Sequence, residues 1–396
     1  MDYSFSDRVQ KLKPSAIREI FKYASDPSVI SLSAGNPAPE AFPAKEIAEI
    51  SARLFAERPI DALQYSVTEG YQPLRDQLTA YMKRKHHIGR DFDNILITSG
   101  AQQIMDLATK SLLNEGDVVL CEAPSFIGSL NTFRSYSARL RGIEMEADGM
   151  NMAELEKALA EEKNVRFIYT IPNFQNPAGI TMSWEKRKQL YALAKKYQVL
   201  IIEDNPYGDL RFQGEHIEAV KSLDEDGLVI YAGSFSKVIS PGMRVGYAIA
   251  PKEILQKMIV CKQGEDVHTN IWSQMICSEF MAKYDFEAHL KQLREIYKRK
   301  TKIATDALDQ YLAPKITYHP IEGGLFLWCT LPDGVDMTDF CKQAVLRKVC
   351  VVPGNAFLTD ETQPCQSFRI NFSTPTDEQL VRGIQILGEL ANDMIK

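Results

Sequence analysis

The sequence predicts an α/β protein built on a mostly parallel sheet covered by helices, with a smaller α+β domain drawn from its two ends. Three observations lead there. Short, nearly unbroken apolar runs recur at 94–98, 118–122, 167–171, 199–203, 228–232 and 245–250. Runs without in-and-out alternation suit strands covered on both faces. Helical patterns separate most of them, the order expected of βα units. The chain is also 45% hydrophobic and 25% charged over 396 residues, ordinary globular composition with enough apolar material for large cores.

Taken in order, the elements begin with a helix over 16–25 and a Pro/Gly-rich loop from Ser33 to Pro39. The run at 94–98 is a strand, Ser99-Gly100 a turn, and the next helix sets Ile104, Leu107, Ala108 and Leu112 on one face. A helix over 183–197 precedes the strand at 199–203. After about residue 285 come a long basic helix to about 312, strands at 324–329 and 367–372, and helices over 336–348 and 376–395. At roughly 100–200 residues per domain, the length predicts two domains. We assign residues 46–285 to the large one, and 1–45 with 286–396 to the small one.

Composition excludes several functions. A net charge of −6 argues against nucleic acid as the main partner. No run approaches the roughly 18 apolar residues of a membrane helix, and the first residues lack the basic-then-apolar order of a signal peptide. Seven scattered cysteines, none in a CxxC, read as reduced thiols of a cytoplasmic protein. The six histidines show no ligand spacing, so no metal is expected.

Ligands of open α/β sheets sit beyond the carboxyl ends of the strands, and four such places carry chemistry. Ser99-Gly100-Ala101-Gln102 joins a strand to a helix, where free N–H groups bind anions. By itself that turn is common. The loop 172–179 brings two amides, Gln175 and Asn176, just past a buried strand. Asp204 ends an apolar run, followed by Tyr207, and a carboxylate there needs a cation or several donors. Ser234-Phe235-Ser236-Lys237 follows the run at 228–232, with Arg244 shortly after. A partly desolvated lysine can be neutral near pH 7 and form a Schiff base with a carbonyl, and an arginine fork suits a phosphate. Each feature alone has a bland explanation. Together they fit pyridoxal 5′-phosphate: an amine for the aldehyde, a carboxylate for the pyridine nitrogen, and a helix start with serine and arginine for the phosphate.

Here the chain resembles the class I/II aminotransferases of PLP fold type I, over essentially its whole length. It is most similar to the branch holding 2-aminoadipate (LysN-like), kynurenine and broad-range aromatic aminotransferases. The resemblance rests on residues 30–40, 64–71, Gln175-Asn176-Pro177, 234–237 and 368–372, in matching order and spacing. It implies a large domain with a mostly parallel seven-stranded sheet. Lys237 matches the Schiff-base lysine, Asp204 the pyridinium partner, and Asn176 and Tyr207 the groups that bond the ring oxygen. Gly100, Ala101, Gln102, Ser234, Ser236 and Arg244 match the phosphate cup. Arg369, helped by Gly35 and Asn176, matches the arginine that grips the substrate α-carboxylate. Tyr65 matches a tyrosine reaching the neighbouring subunit's cofactor, so a homodimer is implied. Phe126 stands where the family usually has a tyrosine over the ring, and Ala101 where many members have serine. Arg18 matches an arginine that meets the distal carboxylate of aminoadipate, and Phe126, Tyr71 and Phe357 offer an aromatic pocket.

The expected reaction is ping-pong transamination from a broad set of L-amino acids to a 2-oxo acid such as 2-oxoglutarate. Two rivals stand beside it. One is β-elimination on the same fold. The other is a PLP-sensing transcription regulator, disfavoured because the matching residues begin near 14 and leave no room for a basic winged helix ahead of them.

Overall fold

The computed structural model describes residues 3–10 and 26–395. The expected helix over 16–25, with Arg18, lies outside them.

The main sheet contains β2 (Asp93–Thr98), β3 (Val118–Ala123), β4 (Arg139–Glu146), β5 (Gly149–Met150), β6 (Val165–Thr170), β7 (Leu200–Asp204), β8 (Val229–Ser234) and β9 (Gly246–Pro251), after a short β1 (Ile30–Ser31) placed elsewhere. Their order is β2-β9-β8-β7-β6-β3-β4-β5. The pairs β8–β7, β7–β6, β6–β3 and β3–β4 are parallel, whereas β9 runs against both β2 and β8. The sheet is mostly parallel, as expected, but it has eight strands instead of seven, because two-residue β5 extends its far edge as a hairpin with β4. All six expected runs are strands, shifted by a residue or two. Only β4 and the short β5 lack counterparts in the expected set. β4 carries Arg139, Arg141, Glu144 and Glu146 and is only partly covered, so it shows no apolar run.

Alternate residues feed two cores. Val118, Leu120, Ile168 and Ile201 enter the cluster under the helices Met152–Glu161 and Trp184–Tyr197. Val119, Cys121, Phe167, Tyr169 and Ile202 enter the larger cluster on the other face. This two-sided burial is why the strands read as continuous apolar runs.

A separate four-stranded antiparallel sheet has the order β10-β11-β14-β13, from β10 (Thr317–Tyr318), β11 (Phe326–Thr330), β13 (Val352–Pro353) and β14 (Ser367–Asn371). The early strand β1 pairs with β12 (Val349–Cys350). The long helix Phe286–Tyr311 starts at an Asp285 cap, and the helix Asp377–Met394 starts at a capping box on Thr376. Both starts use the side-chain acceptors that free helix N–H groups require.

Candidate active site

The carboxyl ends of β2, β3, β6, β7 and β8 open on one side of the sheet, around a cavity of about 330 Å³. Because β9 runs antiparallel, its amino end lies on that side too: Gly246 pairs with both Thr98 and Ser234. Arg244, in the connection between β8 and β9, is thereby held beside the others from both of its ends.

The cup is built first by backbone. Gly100 has φ +79°, and a Cβ there would stand 2.1 Å from Arg244 Nη2. Both the conformation and the space require glycine. It leads into the helix Ala101–Leu112, whose first N–H groups have no partner within the helix. The Gln102 side chain is spent elsewhere, donating to Gly128 O at 3.1 Å and Thr132 Oγ1 at 2.6 Å. Only its backbone N–H remains for an anion. Arg244 donates to Ser236 Oγ at 3.4 Å and to Ser99 O at 3.2 Å, and Ser234 Oγ accepts from Ser236 N at 3.1 Å. Two serines, an arginine and a helix start thus share one anion-sized recess.

Lys237 Nζ projects into the cavity and donates to Gly35 O at 2.6 Å. Burial, with Arg369 and Arg244 adding positive potential, lowers its pKa to about 8. Asp204, the last residue of β7, is buried; Tyr169 OH donates to its Oδ2 at 2.8 Å, and Oδ1 has no partner among the described residues. Burial raises this carboxyl to about 6, against the hydrogen bond from Tyr169. A buried carboxylate oxygen left unpaired costs about 1–3 kcal/mol or more. The position is made for a donor that arrives with a ligand.

Asn176 Nδ2 donates to Tyr207 OH at 3.3 Å, and Asn176 Oδ1 accepts from Arg369 Nη1 at 2.6 Å. Arg369 lies mid-strand in β14, paired on one side with Trp328 and on the other with Val352. Its Nη2 donates to Ser33 O at 2.7 Å, and its buried Nε has no partner among the described residues. The guanidinium lies 4.2 Å from the Phe326 ring centre and 4.9 Å from that of Phe357. Among the described residues no carboxylate pairs with it. Burial lowers its pKa to about 10. Aromatic faces and carbonyls soften the cost of a buried cation, and the site remains short of one anion.

Of the residues singled out in the sequence, Gly35, Ala101, Gln102, Phe126, Asn176, Asp204, Tyr207, Ser234, Ser236, Lys237, Arg244 and Arg369 line this one cavity, and Gly100 packs against the guanidinium of Arg244. Tyr65 does not: it is 82% exposed, with its ring edge-on to His268. Tyr71 also stands apart, accepting from Arg58. Ser33, Phe326 and Tyr169 are site residues that the sequence does not mark. Each sits in a run that reads as core or loop, and a buried tyrosine inside an apolar strand was the one signal available, because its hydroxyl must find a partner.

The residues fit pyridoxal 5′-phosphate: an anion cup, a desolvated amine, and an unpaired buried carboxylate oxygen. A lysine, a carboxylate and an arginine gathered at the carboxyl ends of parallel strands define an enzyme of the type I fold that works with this cofactor. The chain matches the family Aminotransferase class I and II over residues 27–387 and belongs to it. It is a pyridoxal-phosphate-dependent aminotransferase. The sequence is 37% identical to aromatic-amino-acid aminotransferase 1 of Thermococcus litoralis, covering 100% of this chain and 96% of the relative. The structure resembles the kynurenine aminotransferase of Pyrococcus horikoshii, with TM-score 0.95, 35% identity and coverage of 99% and 98%. It also resembles LysN, the α-aminoadipate aminotransferase of Thermus thermophilus, with TM-score 0.90, 34% identity and coverage of 98% and 97%.

Proposed function

We propose that this enzyme moves the amino group of 2-aminoadipate, glutamate, or an aromatic or aliphatic L-amino acid to a 2-oxo acid such as 2-oxoglutarate. One site serves both substrates in turn. The observation that carries the reading is a cavity with an unpaired buried carboxylate oxygen at Asp204, a lysine amine, and a buried arginine without an anion. The relatives named for aromatic amino acids, kynurenine and α-aminoadipate support a broad donor range.

Each residue then has a task. Bound pyridoxal 5′-phosphate supplies an aldehyde for amines and a protonated ring that draws electrons from the carbon beside the substrate carboxylate. Lys237 would hold it through Nζ, and Nζ would take the substrate's α proton as general base and return it as general acid. Asp204 keeps the ring nitrogen protonated, while Asn176 and Tyr207 bond the ring oxygen. Phe126 covers the ring. Gly100, Ala101, Gln102, Ser234, Ser236 and Arg244 hold the phosphate. Arg369 takes the α-carboxylate in both halves of the cycle, with Gly35 and Asn176 beside it. Arg18 meets the distal carboxylate of 2-aminoadipate.

A homodimer belongs to the same proposal, with Tyr65 completing the partner's site. So does the division into 46–285 and 1–45 with 286–396, supported by the separate late sheet and by the pairing of β1 with β12. No disulfide joins any of the seven cysteines, which suits a cytoplasmic location. Mixing holoenzyme with glutamate alone should release one equivalent of 2-oxoglutarate per site and then stop until an oxo acid is added. A panel of donors with 2-oxoglutarate then ranks kcat/KM. Continuous release of pyruvate from a cysteine-like substrate, with no acceptor present, would instead make the enzyme a lyase.

A further inference from the structure

Behind Asp204 lies a chain of hydroxyl groups that belongs to no part of the cycle above. Tyr169 OH donates to Asp204 Oδ2 at 2.8 Å, and it accepts from Ser129 Oγ at 2.9 Å. Tyr169 and Ser129 are both fully buried. An ionised carboxylate only accepts, so the phenol proton must point at Asp204, and Ser129 fills a lone pair of the phenol oxygen. The direction of the chain is therefore fixed from Ser129 through Tyr169 to Asp204.

The frame around it is rigid. Tyr169 stands in β6 beside β7, which carries Asp204, and its ring meets Phe133 edge-to-face at 5.3 Å. Ser129 and Phe133 belong to the helix Ile127–Ser135, which starts right after Phe126. Asp204 has two oxygens, and Tyr169 occupies one, leaving Oδ1 at the cavity with no partner among the described residues. A carboxylate in an apolar wall is otherwise free to rotate and to take up a proton.

We infer that Tyr169, held by Ser129, is a positioning residue that aims Asp204 Oδ1 at the cofactor's ring nitrogen and keeps Asp204 ionised. This rests on the reading of Asp204 as the partner of that nitrogen, and the test separates the two. Holoenzyme is prepared with cofactor labelled with ¹⁵N in the ring, and the nitrogen resonance and the cofactor dissociation constant are both measured. Tyr169→Phe keeps the ring and removes only the hydroxyl. It should move the resonance from the protonated toward the neutral position and weaken cofactor binding about tenfold, as expected for a lost bond to a charged group. Ser129→Ala should move both in the same direction by less, and it decides the matter if Tyr169→Phe does not fold. In the Asp204→Asn background, Tyr169→Phe should add no further displacement of the resonance. If Asp204→Asn itself leaves the nitrogen protonated, the reading of Asp204 falls. If Asp204→Asn moves the resonance but neither hydroxyl variant does, Asp204 keeps its role and the inference about Tyr169 is overturned.

Discussion

Lys237 and Arg369 line the same cavity, and neither meets a carboxylate among the described residues. Their burial sets what each can do. The Lys237 pKa is lowered to about 8, so its neutral, nucleophilic form grows as pH rises through that value. Labelling of Lys237 by an amine-selective reagent in cofactor-free protein should follow a midpoint near 8. A midpoint near the ordinary value of about 10.4 would contradict this. Lys237→Ala should leave the fold intact and abolish the mass increment that borohydride fixes on the holoenzyme chain; a retained increment removes Lys237 from its role. Arg369 is held between two phenyl faces by Asn176 and Ser33, ready for an anion. Charged hydrogen bonds contribute about 1.5–3 kcal/mol. Arg369→Ala should raise KM for both amino acid and oxo acid roughly 10- to 100-fold, with a smaller loss in kcat. Unchanged KM for both would place the carboxylate elsewhere.

At the scale of elements, the antiparallel β9 decides where Arg244 goes. Its sequence looks like any other buried strand, and only its pairing with β2 and β8 brings its amino end to the cup. The turn at Gly100 is the other such device, because the guanidinium of Arg244 fills the space that a side chain would need. With φ +79° and ψ 169° this backbone region is essentially reserved for glycine, and an alanine forced into it costs about 1–3 kcal/mol and would also displace Arg244. Gly100→Ala should weaken cofactor binding about tenfold, near 1.4 kcal/mol, as read by equilibrium dialysis. Unaltered affinity would show that the cup does not depend on this close approach. Strands buried on both faces announced themselves as apolar runs, whereas β4 hid behind its charges. The Ser129–Tyr169–Asp204 chain was invisible because its members lie 40 and 35 positions apart and meet only once β6 pairs with β7 and the helix Ile127–Ser135 packs on the sheet.

For the whole molecule, the exposed apolar side chains matter most. Ile60 and Leu63 on the helix Pro59–Leu63, Tyr65 and Val67 just beyond it, and Phe55 packed on Trp272 stand in solvent. Large exposed apolar patches mark interfaces, and Tyr65 stands here instead of in its own cavity. The wild-type protein should sediment at twice the 44.7 kDa of one chain. The double variant Ile60→Asp/Leu63→Asp should sediment as a monomer and lose cofactor on dialysis. A wild-type monomer that keeps its cofactor would remove Tyr65 from any shared site.

By itself the sequence determined the α/β class, the run of strands and, through its resemblance to a family, twelve of the nineteen residues that line the cavity. Those features are local: burial on both faces writes a strand into consecutive residues, and each site residue sits within a few positions of a strand end. Tertiary structure alone decided which oxygen of Asp204 stays free, how Arg369 is flanked, and that Arg244 reaches the cup from an antiparallel neighbour. Hydrogen-bond partners and strand order are set by packing between segments far apart in the chain, and no stretch of residues carries that information on its own.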